Sequence, residues 1–114
     1  MSEDCLFCKI VAGEIPSEQV ASTDDVYAFR DINPAAPTHV LVIPKEHIAS
    51  AADLGSRHGA LVAEIFEVAR RIAQNEGIGD AYRLVSNVGA GAGQSVFHLH
   101  FHVIGGRELS WPPG

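Results

Sequence analysis

Residues 98–104 read His-Leu-His-Phe-His-Val-Ile, which places three imidazole side chains at alternate positions. Because successive side chains of a β-strand point to opposite faces, a strand here would have one imidazole face and one apolar face. Histidines two residues apart would lie roughly 6.6 Å apart along such a strand. Strict alternation of three of the chain's six histidines favours a chemical role, either metal ligation or nucleophilic catalysis.

A glycine-rich loop precedes the histidines: residues 87–95 read Asn-Val-Gly-Ala-Gly-Ala-Gly-Gln-Ser. Glycine lets backbone amides approach a ligand closely, and successive amides can bind an anion. The loop lacks the Gly-Lys-Ser/Thr of a nucleoside-triphosphate P-loop. Since it leads directly into the histidines, we expect its amides and the imidazoles to face a common cavity.

His100 has His98 and His102 on either side of it, so it occupies the centre of the array. An imidazole facing a phosphate can act as a nucleophile when its second nitrogen is protonated and held by an acceptor. A metal would need a further ligand converging on the same face, and no carboxylate is adjacent in the sequence. Both roles remain open from these residues alone.

Length, composition and charge limit the class of protein. The 114 residues, 46% of them hydrophobic, suit one compact domain over residues 1–114. A net charge of −6 argues against nucleic acid or an anionic membrane as partner, although local amides could still bind a nucleotide phosphate. No apolar run approaches the ~20 residues needed to cross a bilayer, and no signal peptide is recognisable, so we expect a cytoplasmic protein.

The only cysteines, Cys5 and Cys8, form a Cys-x-x-Cys pair. They could be a redox pair, half of a zinc site, or two small apolar residues. A redox pair of the thioredoxin type follows a strand, and none is predicted before Cys5. A tetrahedral zinc site needs two more ligands, for which His47 and His98 are candidates. The zinc and the inert interpretations stay open.

Hydrophobic periodicity predicts one long helix and five short strands. The apolar stripe of the helix consists of Leu61, Ile65, Ala69 and Ile72. Asp53 is the candidate N-cap of this helix, and Gly77 is predicted to end it. A shorter helix or turn is predicted over residues 6–12. Strands are predicted over residues 19–22, 26–29, 40–43, 82–87 and 97–104. This order predicts an α+β fold whose mostly antiparallel sheet packs the helix on one face and carries a hydrated site on the other.

The segment at residues 98–104 matches the His-φ-His-φ-His-φ-φ motif, where φ is apolar, and so resembles the histidine triad (HIT) proteins. The match extends to FRDINPAAPTH at residues 29–39, VIPKEHI at 42–48, Asn87, GQSV at 93–96, GGR at 105–107 and WPPG at 111–114. The resemblance therefore covers essentially the whole chain. The ending resembles the Hint-like branch, the purine nucleoside phosphoramidases, more than the dinucleoside polyphosphate hydrolases.

The resemblance implies a five-stranded antiparallel sheet with one long helix, and a homodimer joined into a ten-stranded sheet. It also implies that His100 attacks the α-phosphorus, giving a nucleotidyl-histidine that water hydrolyses without a catalytic metal. His39 and His102 would orient this nucleophile and bind phosphate, with Ser95 assisting.

The same resemblance implies which residues contact a purine nucleotide of the AMP type. Without it, the apolar members would be assigned to the core and the polar ones to turns. The apolar walls for the base would be Leu6, Phe7, Ile10 and Phe29; Asp31 would accept from the ribose; the loop contacts would be Asn87, Gly93, Gln94, Ser95 and Val96; and Trp111 would reach toward the partner's site.

Bacterial-type HIT proteins pair two N-terminal cysteines with histidines, which implies a structural Zn²⁺ held by Cys5, Cys8, His47 and His98. Typical eukaryotic members of the Hint-like branch lack those cysteines, so this sequence joins a zinc-type beginning to a Hint-like end. If zinc is bound, His98 leaves the catalytic group.

The function expected from the resemblance is cleavage of the P–N bond in purine nucleoside phosphoramidates. Two alternatives remain: hydrolysis of dinucleoside polyphosphates or adenylylated intermediates by the same nucleophile, and a nucleotide-binding interaction module whose turnover is incidental.

Overall fold

The computed structural model describes residues 4–114, which form two helices and five strands. In chain order these are α1 (Leu6–Val11), β1 (Gln19–Ser22), β2 (Val26–Arg30), β3 (Thr38–Pro44), α2 (Gly59–Asn75), β4 (Tyr82–Val85) and β5 (Phe101–Gly105). Short 3₁₀ turns lie before α2 and in the glycine-rich loop. No helix among the described residues is long and apolar enough to span a bilayer.

The strands form one sheet in the order β1-β2-β3-β5-β4, and every neighbouring pair is antiparallel. Strand β3 lies at its centre, and all seven of its residues are buried. Its continuous apolar run follows from this position, because both faces of the strand are covered. The predicted α+β fold with an antiparallel sheet and one long helix is confirmed.

Each face of the sheet carries its own apolar cluster. On one face, the stripe of α2 that includes Ile65, Ala69 and Ile72 packs against Val40 and Val42 of β3, among others. Along β3, Leu41 and Ile43 alternate with Val40 and Val42, so they point to the opposite face, where α1 packs against them. The buried residues of this second cluster include Phe7, Cys8, Ile10, Phe29, Leu41 and Ile43. The face covered by α1 also carries His102, which pairs with Leu41 across β3 and β5.

The predicted start of the long helix was wrong, whereas its end is confirmed. Asp53 closes a separate 3₁₀ turn, and the chain runs through extended Leu54 and Gly55 before α2 begins at Gly59. At the other end Gly77 has a φ of +78°. The Ile78 N–H donates to the Ala73 carbonyl, the hydrogen bond expected when a glycine follows the last helical turn.

The predicted strand over residues 97–104 begins later than expected, at Phe101, so only His102 of the three alternating histidines lies in β5. Pairing stops because β3 ends at Pro44, which has no N–H to donate. The Leu99 N–H donates instead to the Ile48 carbonyl at 2.6 Å, and residues 97–100 leave the sheet ladder. Strand β4 likewise ends at Val85, two residues before the predicted 87.

Gly105 allows the last residue of β5 to pass close to the chain after α2. A Cβ on this residue would lie 2.7 Å from Ile78 Cδ1 and 3.2 Å from the Ala81 carbonyl oxygen. We expect Gly105→Ala to lower the free energy of unfolding by about 1–3 kcal/mol, measured by urea denaturation, because the backbone contact cannot relax. Gly55→Ala, where a Cβ meets nothing within 4 Å, should stay within about 0.5 kcal/mol of wild type. Equal effects of the two substitutions would contradict this packing argument.

Candidate active site and metal centre

A cavity of about 380 Å³ lies on the α1 face of the sheet, and this volume lies within the range of small-molecule sites. It brings together nine of the residues that the sequence assigned to the site: Leu6, Phe7, Ile10, Phe29, Asp31, Ser95, Val96, His100 and His102. Phe7 and Phe29 meet edge to face with ring centroids 5.4 Å apart, forming one apolar end of the cavity. At the end of β2, Asp31 Oδ1 accepts from the Asn33 N–H at 2.8 Å.

The cavity is also lined by six residues that the sequence analysis did not assign: Ile15, Pro16, Arg30, Ile32, Asn33 and Leu41. Leu41 could have been found, because strand alternation places it on the same face as His39. Arg30 is the last residue of β2 and lies next to the assigned Asp31. The other four could not have been found, since they lie in loops whose path no local pattern specifies.

Several assigned residues do not line this cavity. Asn87 and Gly93 lie beside each other, since a Cβ on Gly93 would be 3.5 Å from Asn87 Nδ2. Gln94 is buried; its side-chain oxygen accepts from the Gly89 N–H and its amide donates to the Ala49 carbonyl. The Gln94 side chain thus holds the glycine-rich loop in place. Trp111 is 83% exposed in the C-terminal tail.

His39 lies behind His102 and determines which of its nitrogens carries a proton. The Ala35 N–H donates to His39 Nδ1 at 2.9 Å, so neutral His39 is protonated on Nε2. His39 Nε2–H then donates to His102 Nδ1 at 2.8 Å. The same His39 Nε2 atom lies 3.4 Å from Asp31 Oδ2. Neutral His102 must therefore carry its own proton on Nε2.

The Nε2 atom of His102 is buried and has no hydrogen-bond partner within residues 4–114. A buried donor left without an acceptor is costly, so this N–H is suited to an oxyanion that enters the cavity. Burial, and after it the neighbouring imidazoles of His100 and His39, lower the pKa of His102 to about 4, against the influence of Asp31. The ring is therefore a neutral donor at neutral pH.

The hydrogen bonds of His100 give it the opposite tautomer to that of His102. Its Nδ1–H donates to the His98 carbonyl at 2.8 Å, which leaves the Nε2 lone pair without a proton. The ring is buried, lines the cavity, and meets the Phe7 ring edge to face at 5.1 Å. A neutral imidazole fixed in this tautomer can act as a nucleophile or a general base.

Cys5, Cys8, His47 and His98 form a second cluster, adjacent to the cavity, whose potential ligand atoms all lie within 4.8 Å of one another. Cys5 Sγ is 3.3 Å and Cys8 Sγ 3.5 Å from His98 Nδ1, and Cys8 Sγ is 3.3 Å from His47 Nδ1. Tetrahedral zinc, with bonds of about 2.3 Å to sulfur and about 2.0 Å to nitrogen, would separate those atoms by about 3.5 Å. The spacing fits a zinc ion.

The protonation of His98 also fits a metal ligand. Its Nε2–H donates to the Pro44 carbonyl at 2.8 Å, so the Nδ1 lone pair faces the two sulfurs. Burial lowers the pKa of His98, which favours the neutral ring that a metal requires. With both cysteines and His98 buried, the arrangement corresponds to a closed, structural type of site.

The potential ligand atoms of Asp31, His39 and His102 also lie within 4.8 Å of one another. The hydrogen bonds of His39, however, place its proton where a metal would have to bind. A metal on His39 Nε2 would require a proton on Nδ1, where the Ala35 N–H already points. This cluster is a hydrogen-bond relay.

Residues 12–109 match the family model described as the HIT domain. The chain belongs to the HIT family. It is 46% identical over 110 residues to the purine nucleoside phosphoramidase of Escherichia coli, covering 96% of this chain and 92% of that protein. It is also 46% identical over 111 residues to the 14 kDa zinc-binding protein of Zea mays, covering 96% and 87%.

A solved HIT family hydrolase from Legionella pneumophila superposes with a TM-score of 0.95 at 51% identity, covering 97% of this chain and all of that one. The family and the HIT fold implied by the sequence are thus confirmed. A zinc-binding protein and a phosphoramidase both occur among the relatives of this HIT chain.

Metal content tests the zinc interpretation. We expect the protein, purified under reducing conditions without chelators, to contain close to one zinc per chain by elemental analysis. Cys8→Ser should lower that content sharply, because a tetrahedral site would lose a thiolate. His58→Asn alters a buried histidine outside the cluster and should retain the metal. Only a trace of zinc in the wild-type protein would contradict the four-ligand site.

The lowered pKa of His102 predicts a loss of stability in acid. The unfolded chain would take up this proton near pH 6.5 and the folded chain only near pH 4, so the free energy of unfolding should fall as the pH drops through that range. His102→Asn should show a shallower decrease in urea denaturation between pH 6.5 and 5. Parallel curves for the two proteins throughout that range would count against a neutral, buried His102.

Proposed function

We propose that this chain is a nucleotide hydrolase that cleaves the P–N bond of purine nucleoside phosphoramidates, which are AMP-linked amines. One observation carries the proposal: His100 and His102 line the same cavity with opposite tautomers, one offering a lone pair and the other an unpartnered N–H. A nucleophile beside an oxyanion donor is what substitution at phosphorus requires. The similarity to a phosphoramidase supports this choice of substrate.

The nucleotide would occupy the cavity with its base between the apolar side chains and its phosphate at the histidines. Asp31 would accept from the ribose hydroxyls, since this residue lines the cavity. The His102 Nε2–H and the Ser95 hydroxyl would donate to the phosphate. The base would lie against Leu6, Phe7, Ile10 and Phe29, and Val96 would line the same cavity. Asn87, Gly93 and Gln94 lie outside the cavity lining and would contribute through the position of the glycine-rich loop.

In the first step, His100 Nε2 forms a bond to the α-phosphorus while the P–N bond breaks. The leaving nitrogen keeps the bonding electrons and takes a proton from solvent, departing as a free amine. In the second step, water forms a bond to phosphorus, the bond to Nε2 breaks, and the proton of water returns to solvent. The products are AMP and neutral His100, and the His102 N–H stabilises the phosphoryl oxygens in both steps.

Zinc would be held by Cys5, Cys8, His47 and His98 as a structural ion. When bound, it would link α1 to the segment after β3 and to His98. Every catalytic step is assigned to side chains of the chain itself.

We also infer a homodimer, as the resemblance implies. Phe66 of α2 is half-exposed and packs on Phe101 of β5. Strand β5 pairs with β4, an outer strand of the sheet, which would pair with a second copy. Trp111 would then lie near the partner's site.

Substrate profiling tests the proposed activity. We expect the wild-type protein to release AMP from adenosine phosphoramidate with a kcat/KM well above that for a diadenosine polyphosphate. His100→Ala should lower this value at least about 10³-fold, because the nucleophile is removed. Mass spectrometry of quenched wild-type enzyme should locate an adenylyl group on His100.

His58→Asn is the matched control, since it changes a buried histidine outside the cavity and should keep near wild-type activity. Faster cleavage of the dinucleotide would favour the polyphosphate hydrolase instead. Wild-type turnover no faster than that of His100→Ala, together with tight AMP binding, would indicate a nucleotide-binding module.

A further inference from the structure

The loop between β2 and β3, residues 31–37, carries groups that the proposed site needs. Asp31 begins the loop and lines the nucleotide cavity, and the next two residues line it as well. Further along, the Ala35 N–H donates to His39 Nδ1 at 2.9 Å. None of the loop residues lies in a helix or strand, so contacts made at the ends of the loop must help to fix its conformation.

Glu76 contacts the residue on each side of this loop. Its carboxylate accepts from both terminal nitrogens of Arg30, at 2.8 and 3.0 Å, and Arg30 is the last residue of β2. The hydroxyl of Thr38, the first residue of β3, donates to the same carboxylate over a longer distance of 3.4 Å. One carboxylate therefore joins the residue before the loop to the residue after it.

Glu76 is itself held by the end of α2. Its N–H donates to the Ile72 carbonyl at 2.9 Å, and Ile72 is buried in the apolar cluster between α2 and the sheet. Glu76 therefore projects from a part of the fold that packing keeps in place. Arg30 Nε also donates to Glu18 Oε2 at 3.1 Å, but that second carboxylate is 75% exposed.

The position of Glu76 is unfavourable for the helix taken alone. A carboxylate at the carboxyl end of a helix lies near unpaired carbonyl groups, which repel it. The hydrogen bonds from Arg30 lower the pKa of Glu76 against the effect of burial, and the Thr38 hydroxyl contributes in the same direction. Residues that break a local preference in this way commonly serve a functional site.

The Asp31 end of the loop depends on Glu76 more than the Ala35 end does. Arg107 Nε donates to the Ala35 carbonyl at 2.9 Å, so that part of the loop has an anchor of its own. The Asp31 N–H donates to the His39 carbonyl at 3.0 Å, and beyond this bond the chain leaves the sheet. Because Asp31 directly follows Arg30, the ion pair of Arg30 limits how far the Asp31 carboxylate can move.

We propose that Glu76 is a positioning residue for nucleotide binding, which acts through Arg30 and Thr38 on the loop that carries Asp31. The inference rests on the proposed function, because Asp31 is taken there to accept from the ribose hydroxyls. Removal of the Glu76 charge weakens binding of a nucleotide that has these hydroxyls and spares a nucleotide that lacks them. Since the reacting atoms belong to His100 and the phosphate, the effect falls on KM and not on kcat.

Calorimetric titration with AMP and with 2′,3′-dideoxy-AMP tests this role. Glu76→Gln keeps the size of the side chain and one acceptor oxygen, so the fold should persist, which urea denaturation checks. We expect this variant to bind AMP about 3- to 10-fold more weakly and the dideoxy nucleotide less than about 2-fold more weakly. Its KM for adenosine phosphoramidate should rise by a similar factor, whereas kcat should change less than about 2-fold.

Glu67→Gln is the matched control. It removes the same charge from the same helix, where Glu67 forms an exposed ion pair with Arg71 at 2.9 Å that does not involve the loop. This control variant should bind both nucleotides as wild type does. In an Asp31→Asn background, where the contact with the ribose is already lost, Glu76→Gln should cause no further loss of AMP affinity.

Equal weakening of both nucleotides by Glu76→Gln would overturn the positioning role, because it would indicate a general structural effect. A full second loss in the Asp31→Asn background would overturn it as well, and so would equal affinity of the wild type for the two nucleotides. If the affinities follow the expected pattern but wild type cleaves no phosphoramidate, the positioning role is supported and the proposed function is wrong. Cleavage by Glu76→Gln with an unchanged KM would retain the function and reject the positioning role.

Discussion

The hydrogen bonds of His98 are the constraint on which the site depends. Its ring is fully buried, and burial of a polar ring atom without a partner is costly. Nε2–H donates to the Pro44 carbonyl, Nδ1 faces the sulfurs of Cys5 and Cys8, and the backbone carbonyl accepts from His100 Nδ1–H. One residue therefore belongs to the Cys/His cluster and fixes the tautomer of the proposed nucleophile. A displacement of His98 would disturb both together.

Two hydrogen-bond chains then give neighbouring imidazoles opposite roles. The rings of His100 and His102 have centroids 5.0 Å apart, yet one is held through Nδ1–H by a carbonyl and the other accepts at Nδ1 from His39. The Ala35 N–H starts the second chain, so a backbone amide in the loop before β3 determines where His102 carries its proton. The lowered pKa of His102 keeps this ring neutral at neutral pH.

The fold was largely predictable because hydrophobic periodicity is a local property: the buried run of β3 and the stripe of α2 are readable in any short window. The start of β5 was not, since it depends on Pro44 and on the bond from the Leu99 N–H to Ile48, both distant in sequence. Alternation predicted a functional role for the three histidines, but their separate protonation states depend on residues such as Ala35. The apolar residues of the cavity were found only through the family resemblance, because by pattern alone Phe7 is a core residue.

Helix α1 links the cluster of Cys5, Cys8, His47 and His98 to the apolar end of the cavity. With six residues it is too short to be stable alone, so its position depends on packing and on its N-cap, where Cys5 Sγ accepts from the Cys8 N–H. The same short helix also carries two residues that line the cavity: Phe7, which lies between the two cysteines in the sequence, and Ile10, which follows them. A metal bound to both sulfurs would favour the folded form of this helix over its unfolded form. A structural metal would thus also shape the site, because two of its proposed ligands, Cys5 and Cys8, lie at the start of the same helix as the cavity residues Phe7 and Ile10.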